Sequence, residues 1–153
     1  MRLGHVAYAI RDLYKTIDFY CRGLGFKELF SIKNDGGEPS MVYVQVNERE
    51  FIEFFPTKEN LPPNGSYKHL CLHTDDIENE LADLKTRGII PDGSVTKGKS
   101  GSLQAWLTDP DGNRIELMQL MPDSLHLSSE NRAVNGVLSN QEAAMTERIA
   151  AAK

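Results

Sequence analysis

The chain says the same thing twice. Laid over one another, GHVAYAIRDL (4–13) and KHLCLHTDDI (68–77) put His5 on His69 and Asp12 on Asp76. FIEFF (51–55) over RIELM (114–118) puts Glu53 on Glu116. Self-similarity at a fixed spacing marks two copies of one supersecondary unit, each needing the other to cover its apolar face.

The order of elements inside each copy can be read from local chemistry. An apolar run at 4–10 reads as a strand. Asp12 caps a helix by accepting from a free backbone N–H, and Leu13, Ile17, Tyr20 and Leu24 follow at helical spacing. Gly25 suits the left-handed residue that ends it. Strand-like runs follow at 26–31, 41–46 and 50–55, separated by Asp35-Gly36-Gly37 and Asn47-Glu48. The second copy repeats this with a strand at 68–74, Asp76 as cap, Ile77, Leu81 and Leu84 as the apolar stripe, and Gly88 as the stop. Strands are predicted near 89–92, 103–108 and 114–120, the last after the turn Asp109-Pro110-Asp111-Gly112-Asn113. The fold class is therefore α+β, with two tandem βαβββ modules, 1–56 and 67–121, inside one domain spanning 1–121. The linker PTKENLPPNGSY (56–67) is proline-rich and predicted to be extended. An extension over 122–153 has no counterpart in the first copy; it is polar at first, then has helical propensity from Asn140. It reads either as a frayed tail or as a helix docked on a partner subunit.

Side-chain parity on strands decides which groups share a face. His5, Ala7 and Ala9 point together, as do His69, Cys71 and His73. Glu53 lies with Phe51 and Phe55, and Glu116 with Arg114, Met118 and Leu120. A carboxylate among large apolar side chains is costly to bury unless it is paired or bound to a metal. Two modules that each keep one His and one Glu can bring two imidazoles and two carboxylates around a pseudo-twofold axis. Those four groups, His5, Glu53, His69 and Glu116, match the charge of one divalent cation. Mixed nitrogen and oxygen ligands suit Zn, Ni, Co, Fe or Mn. His73 lies about 13 Å along the strand from His69 and reads as structural; His126, in the polar tail, reads as solvated.

Composition narrows the function classes. With 17 basic and 22 acidic residues the net charge is −5, which argues against a nucleic-acid binder and its basic surface. No apolar run approaches the ~20 residues of a membrane span, and MRLGHVAYAI lacks signal-peptide features. Two cysteines, Cys21 and Cys71, are too few for a disulfide scaffold. A cytoplasmic protein with small-molecule substrates, and without nucleic-acid or membrane partners, is the expectation.

The motifs GHVAYAIRDLYKTIDFYCRGLGF, FIEFF, KHLCLHTDDIENELADLKTRG and DPDGNRIEL resemble the vicinal oxygen chelate superfamily, which includes glyoxalase I, methylmalonyl-CoA epimerase, extradiol dioxygenases and fosfomycin or bleomycin resistance proteins. They span residues 4 to about 120. The resemblance implies paired βαβββ modules forming an open, cupped mixed sheet around a metal site. It also implies a homodimer, in some members with ligands drawn from both chains. Glutamate at both carboxylate positions, 53 and 116, looks most like glyoxalase I (lactoylglutathione lyase); ring-cleaving and fosfomycin enzymes generally use two His and one Glu. Members that use glutathione carry an Arg at the position of Ala9 and a basic residue at that of Gly65, so glutathione recognition is not carried over.

The resemblance implies a metal-dependent lyase or isomerase. Proton transfer through a metal-bound enediolate would act on a 2-oxoaldehyde–thiol adduct or related small carbonyl compound. Glu53 or Glu116 would be the base, a role that a carboxylate shielded from water performs better, with His5 and His69 holding the metal. Alternatives are another enzyme of the superfamily, an epimerase or small extradiol-type dioxygenase, or a non-catalytic drug- or metabolite-binding resistance protein. The loop GSVTKGKSGS (93–102) reads either as a flap whose Lys97 and Lys99 meet an anionic substrate or as a solvated loop. Tyr8 and Trp106 line the pocket or pack the core.

Overall fold

In the computed structural model the described residues are 3–61 and 66–127. The two copies of the repeat build two four-stranded sheets. In the first, β1 (His5–Ile10), β2 (Lys27–Lys33), β3 (Pro39–Asn47) and β4 (Glu50–Pro56) stand in the order β1-β4-β3-β2. In the second, β5 (Leu70–His73), β6 (Thr96–Lys97), β7 (Leu103–Thr108) and β8 (Arg114–Gln119) stand as β5-β8-β7-β6. The first strand of each module runs parallel to its last, and the other pairings are antiparallel. This is the two-module α+β fold that the repeat implies.

Each module's helix begins as its sequence dictates. Asp12 accepts from the Lys15 backbone N–H at 3.1 Å to open α1 (Leu13–Ile17), and Asp76 accepts from Asn79 N–H at 3.1 Å to open α2 (Ile77–Thr86). The single first helix expected to reach Leu24 instead widens into a π-helical turn over Asp18–Gly23. That turn closes with the Leu24 N–H on the Phe19 carbonyl and sets Gly23 against the second module. A Cβ on Gly23 would come within 2.6 Å of Ile89 Cδ1, so any larger residue there must push the Ile89 side chain aside.

The strand expected near 89–92 does not form; the second module's outer strand is the two-residue β6 at 96–97. Pro91 has no N–H to give to a ladder, and Ile90 points into solvent. One backbone bond, Asp92 N–H to the Trp106 carbonyl, and one side-chain bond, Thr108 Oγ1 to Asp92 Oδ2 at 2.6 Å, tie that segment to β7. The helix expected from Asn140, and Gly65 in the linker, lie outside the described residues.

A continuous core runs through both modules, from Ile10, Tyr20, Val44, Ile52 and Phe54 to Ile77, Leu84, Leu107 and Ile115. Polar contacts tie them further. The buried Tyr20 hydroxyl donates to Asp109 Oδ2 at 3.0 Å, and Arg11 Nε donates to Asp111 Oδ1 at 2.8 Å. Asp109 also accepts from the Asn113 side chain and from the backbone N–H groups of Asp111 and Asn113. The DPDGN turn is thus a clamp on the first module as well as a turn. Among the described residues, no helix is long and apolar enough to cross a membrane.

Candidate metal centre

The His–Glu pairs sit at matching positions of the repeat. On β4, Ile52 and Phe54 face the core, so Glu53 faces the other way beside Ala7 of β1 and Tyr43 of β3. On β8, Ile115 and Leu117 face the core, and Glu116 lies beside Cys71 of β5 and Trp106 of β7. In each case the histidine closes on the carboxylate. His5 Nε2 stands 3.3 Å from Glu53 Oε2, and His69 Nε2 stands 3.0 Å from Glu116 Oε2.

Both carboxylates are buried, at 8% and 6% relative exposure, while both imidazoles remain partly open to solvent. Among the described residues, neither carboxylate has a Lys or Arg partner. A buried carboxylate with one imidazole and no permanent cation is half-compensated. A divalent ion, accepting imidazole nitrogen and carboxylate oxygen together, completes such a set. The donor chemistry therefore fits a metal.

Within one chain the four residues stay as two pairs. Among the described residues, no three His, Cys, Asp or Glu side chains lie close enough to share one ion. The repeat makes two His–Glu pairs, each presenting one nitrogen and one oxygen.

The surroundings of the two pairs differ. The hydrogen bond between the Tyr43 phenol and Glu53 raises the phenol's pKa above its ordinary value, and Tyr43 in turn stacks on Phe30 with ring centroids 4.7 Å apart. Burial, reinforced by the charge of Glu116, pushes the Cys71 thiol up to about 11. Trp106 stands edge-on to His69, centroids 5.0 Å apart, and carries the Arg114 guanidinium 4.1 Å above its ring.

The other residues singled out from sequence take varied places. Tyr8 is half-buried, stacks on Phe54 and shares a 2.5 Å hydrogen bond with Tyr67; burial, then that bond, raises its pKa. It lines a cleft with Arg11, Leu61 and Asn113 on the side of the linker. Lys97 pairs with Asp123 at 3.2 Å, and its register partner Leu103 packs against the core; Lys99 is exposed. Neither lysine pairs with Glu53 or Glu116. The loop that carries them is held by the extension, where Leu125 N–H donates to the Ser100 carbonyl and Ser102 Oγ lies 3.3 Å from His126 Nδ1. His73 is exposed and, with His5 and Cys71, borders a cleft of about 480 Å³ between β1 and β5. Sequence reasoning did not single out Tyr43 or Arg114; strand parity had placed Arg114 on the Glu116 face.

The sequence model of the Glyoxalase/Bleomycin resistance protein/Dioxygenase superfamily matches residues 2–117. The chain belongs to that superfamily. It is similar to the lactoylglutathione lyase of Salmonella typhimurium, 30% identical over 129 residues that cover 78% of this chain and 93% of the relative. Among solved structures it resembles TnmS3, an antibiotic binding protein from Streptomyces sp. CB03234, with 30% identity, a TM-score of 0.64, and coverage of 79% of this chain and 97% of the other. A glyoxalase family protein from Enterococcus faecalis shares the fold at 23% identity, with a TM-score of 0.64 and coverage of 77% and 97%.

Proposed function

We propose that the protein is a metal-dependent lyase or isomerase of the glyoxalase I type, a cytosolic homodimer that moves a proton beside the carbonyl of a 2-oxoaldehyde–thiol adduct or a related small carbonyl compound. One observation carries the reading. The fold twice buries a carboxylate against an imidazole, at equivalent positions of the repeat, with no Lys or Arg among the described residues to neutralise it. The 30% identity to a lactoylglutathione lyase over most of both chains supports the same class.

The pairs lie apart in one chain, so a second copy completes each centre. His5 and Glu53 of one chain would face His69 and Glu116 of another. The sheet around the first pair leaves Phe30, Ile32 and Phe55 exposed, an apolar surface of the kind that partner chains cover.

His5 and His69 would hold a divalent ion from either side. Such an ion, when bound, supplies Lewis-acid polarisation of the substrate carbonyl. One glutamate takes the proton from the carbon beside that carbonyl and returns it to the neighbouring carbon. The other glutamate remains a ligand. The burial of Glu53 and Glu116 limits competition from water for the transferred proton.

Metal analysis of the purified protein, then assay against methylglyoxal adducts of several thiols, tests this directly. Stoichiometric metal and turnover of at least one adduct are expected. Protein that binds no divalent metal and turns over no adduct would remove the proposal. It would instead favour a ligand-binding role, the reading that similarity to an antibiotic binding protein supports.

A further inference from the structure

The core is closed at one end of β1 and open at the other. At the closed end Ile10 is fully buried, and the Tyr20–Asp109 and Arg11–Asp111 bonds cross from module to module. At the start of β1 and along β5 the core-facing side chains are left partly exposed. Val6 lies beside the buried Ile52, Leu70 beside Ile115 and Leu72 beside Leu117. All three share the core face of their sheets, yet none is fully covered, because β1 and β5 each end their sheet. With Phe26 and Val46 they wall the cleft of about 480 Å³ between the modules. Apolar surface left in water is unfavourable in proportion to its area, and an apolar occupant would cover it. A cleft of this size with mostly apolar walls is of the kind that holds small molecules.

The permanent charges at this cleft have one sign. Glu50 of β4 and Glu80 of α2 line it, and among the described residues no Lys or Arg does. Glu80 has a partner in Arg87, at 3.4 Å. Glu50 is exposed and accepts from the Asn47 side-chain amide; among the described residues it has no basic partner. One uncompensated negative charge therefore borders an apolar interior. Neither Glu53 nor Glu116 belongs to the walls, although His5 stands at the lip.

We propose that the cleft between the modules is a second ligand site, apart from the His–Glu pairs, for an amphipathic organic cation. Its apolar body would lie against Val6, Val46 and Leu72, with a single ammonium at Glu50. An aliphatic acid of the same length would bring its charge against Glu50 and Glu80, so the cleft selects by sign as well as by greasiness. The site stands whether or not the His–Glu pairs hold a metal.

Titration calorimetry on the full chain tests this with two probes of equal length, octylamine and octanoate. At low ionic strength the amine is expected to bind about tenfold or more tightly than the acid, with the gap narrowing as salt is added. Glu50→Lys, at an exposed position, should reverse the preference and leave the melting temperature unchanged. Val46→Trp should fill the cleft with an indole and abolish detectable binding of the amine. Glu53→Gln and Glu116→Gln should bind the amine as wild type does, since neither carboxylate borders the cleft. No detectable binding of octylamine to wild type, equal affinity for the two probes, or a preference unchanged in Glu50→Lys would overturn the proposal. So would undiminished binding in folded Val46→Trp, or binding lost in either glutamine variant, which would put the amine at the His–Glu pairs instead. Glu50→Lys decides the matter by itself if Val46→Trp does not fold.

Discussion

The two modules are copies in backbone and divergent in chemistry. Both place His beside Glu where the module's first and last strands run parallel, His5 at the start of β1 and His69 one residue before β5. Around Glu53 the neighbours are Ala7, Tyr43 and, along the strand, Phe51; around Glu116 they are Cys71, Trp106 and Arg114. The constant part is one imidazole and one carboxylate in each module. The variable part is a hydroxyl on one side and a thiol, an indole and a cation on the other; side-chain substitution on the same register gave the two pairs different walls. The outer edges diverge as well: β2 runs seven residues, whereas β6 runs two and is held by the start of the extension.

The largest effect should come from breaking both halves separately. Glu53→Gln and Glu116→Gln are each expected to fold and to lose turnover by about a hundredfold or more, as removal of an essential proton-transfer group does. If each centre draws one half from each of two chains, unfolding and refolding the two inactive variants together should restore about a quarter of wild-type activity. Half of the dimers would then be mixed, each with one intact centre. No recovery on mixing would show that the halves do not combine across chains.

Next in size is the seam between the modules. Tyr20→Phe removes the buried hydrogen bond to Asp109 and should cost about 1–2 kcal/mol in chemical denaturation. Gly23→Ala drives a methyl into Ile89; the isoleucine side chain has some room to yield, so about 1–3 kcal/mol is expected, read as a lowered melting temperature. If neither substitution moves the melt, the modules do not depend on that seam.

The smallest effect concerns the wall of the second pair. Cys71→Ala makes that position match Ala7 and should cost less than about 1 kcal/mol, since the thiol is only half-buried and small. A larger loss would mean that Cys71 holds Glu116 in place, an asymmetry the first module lacks.

Much of this arrangement was legible in the chain. The repeat carried the order of elements, Asp12 and Asp76 marked both helix starts, and strand parity grouped Glu53 with Phe51 and Phe55 and Glu116 with Arg114. What could not be read depended on neighbours distant in sequence. Ile89 and Ile90 look like a strand, but Pro91 denies the ladder a donor and Ile90 turns to solvent. The widening of the first helix at Asp18–Gly23 answers to Ile89, far along the chain. Lys97 looked available until Asp123 came beside it, and the stacking of Arg114 on Trp106 needs two strands in register. The four-residue centre, as a single constellation, remains a proposal because one chain supplies it in halves.

The outer strand of the first sheet has a further consequence. β2 is exposed along its whole length and carries Leu29, Phe30 and Ile32, which would invite indiscriminate strand addition by other molecules. Its ladder to β3 shifts register twice, between Glu28 and Phe30 and between Ile32 and Lys33, and lysines stand at both ends. An edge kinked twice and bracketed by charge is a poor template for fibril growth, so the greasy rim can persist in a crowded solution without seeding aggregates.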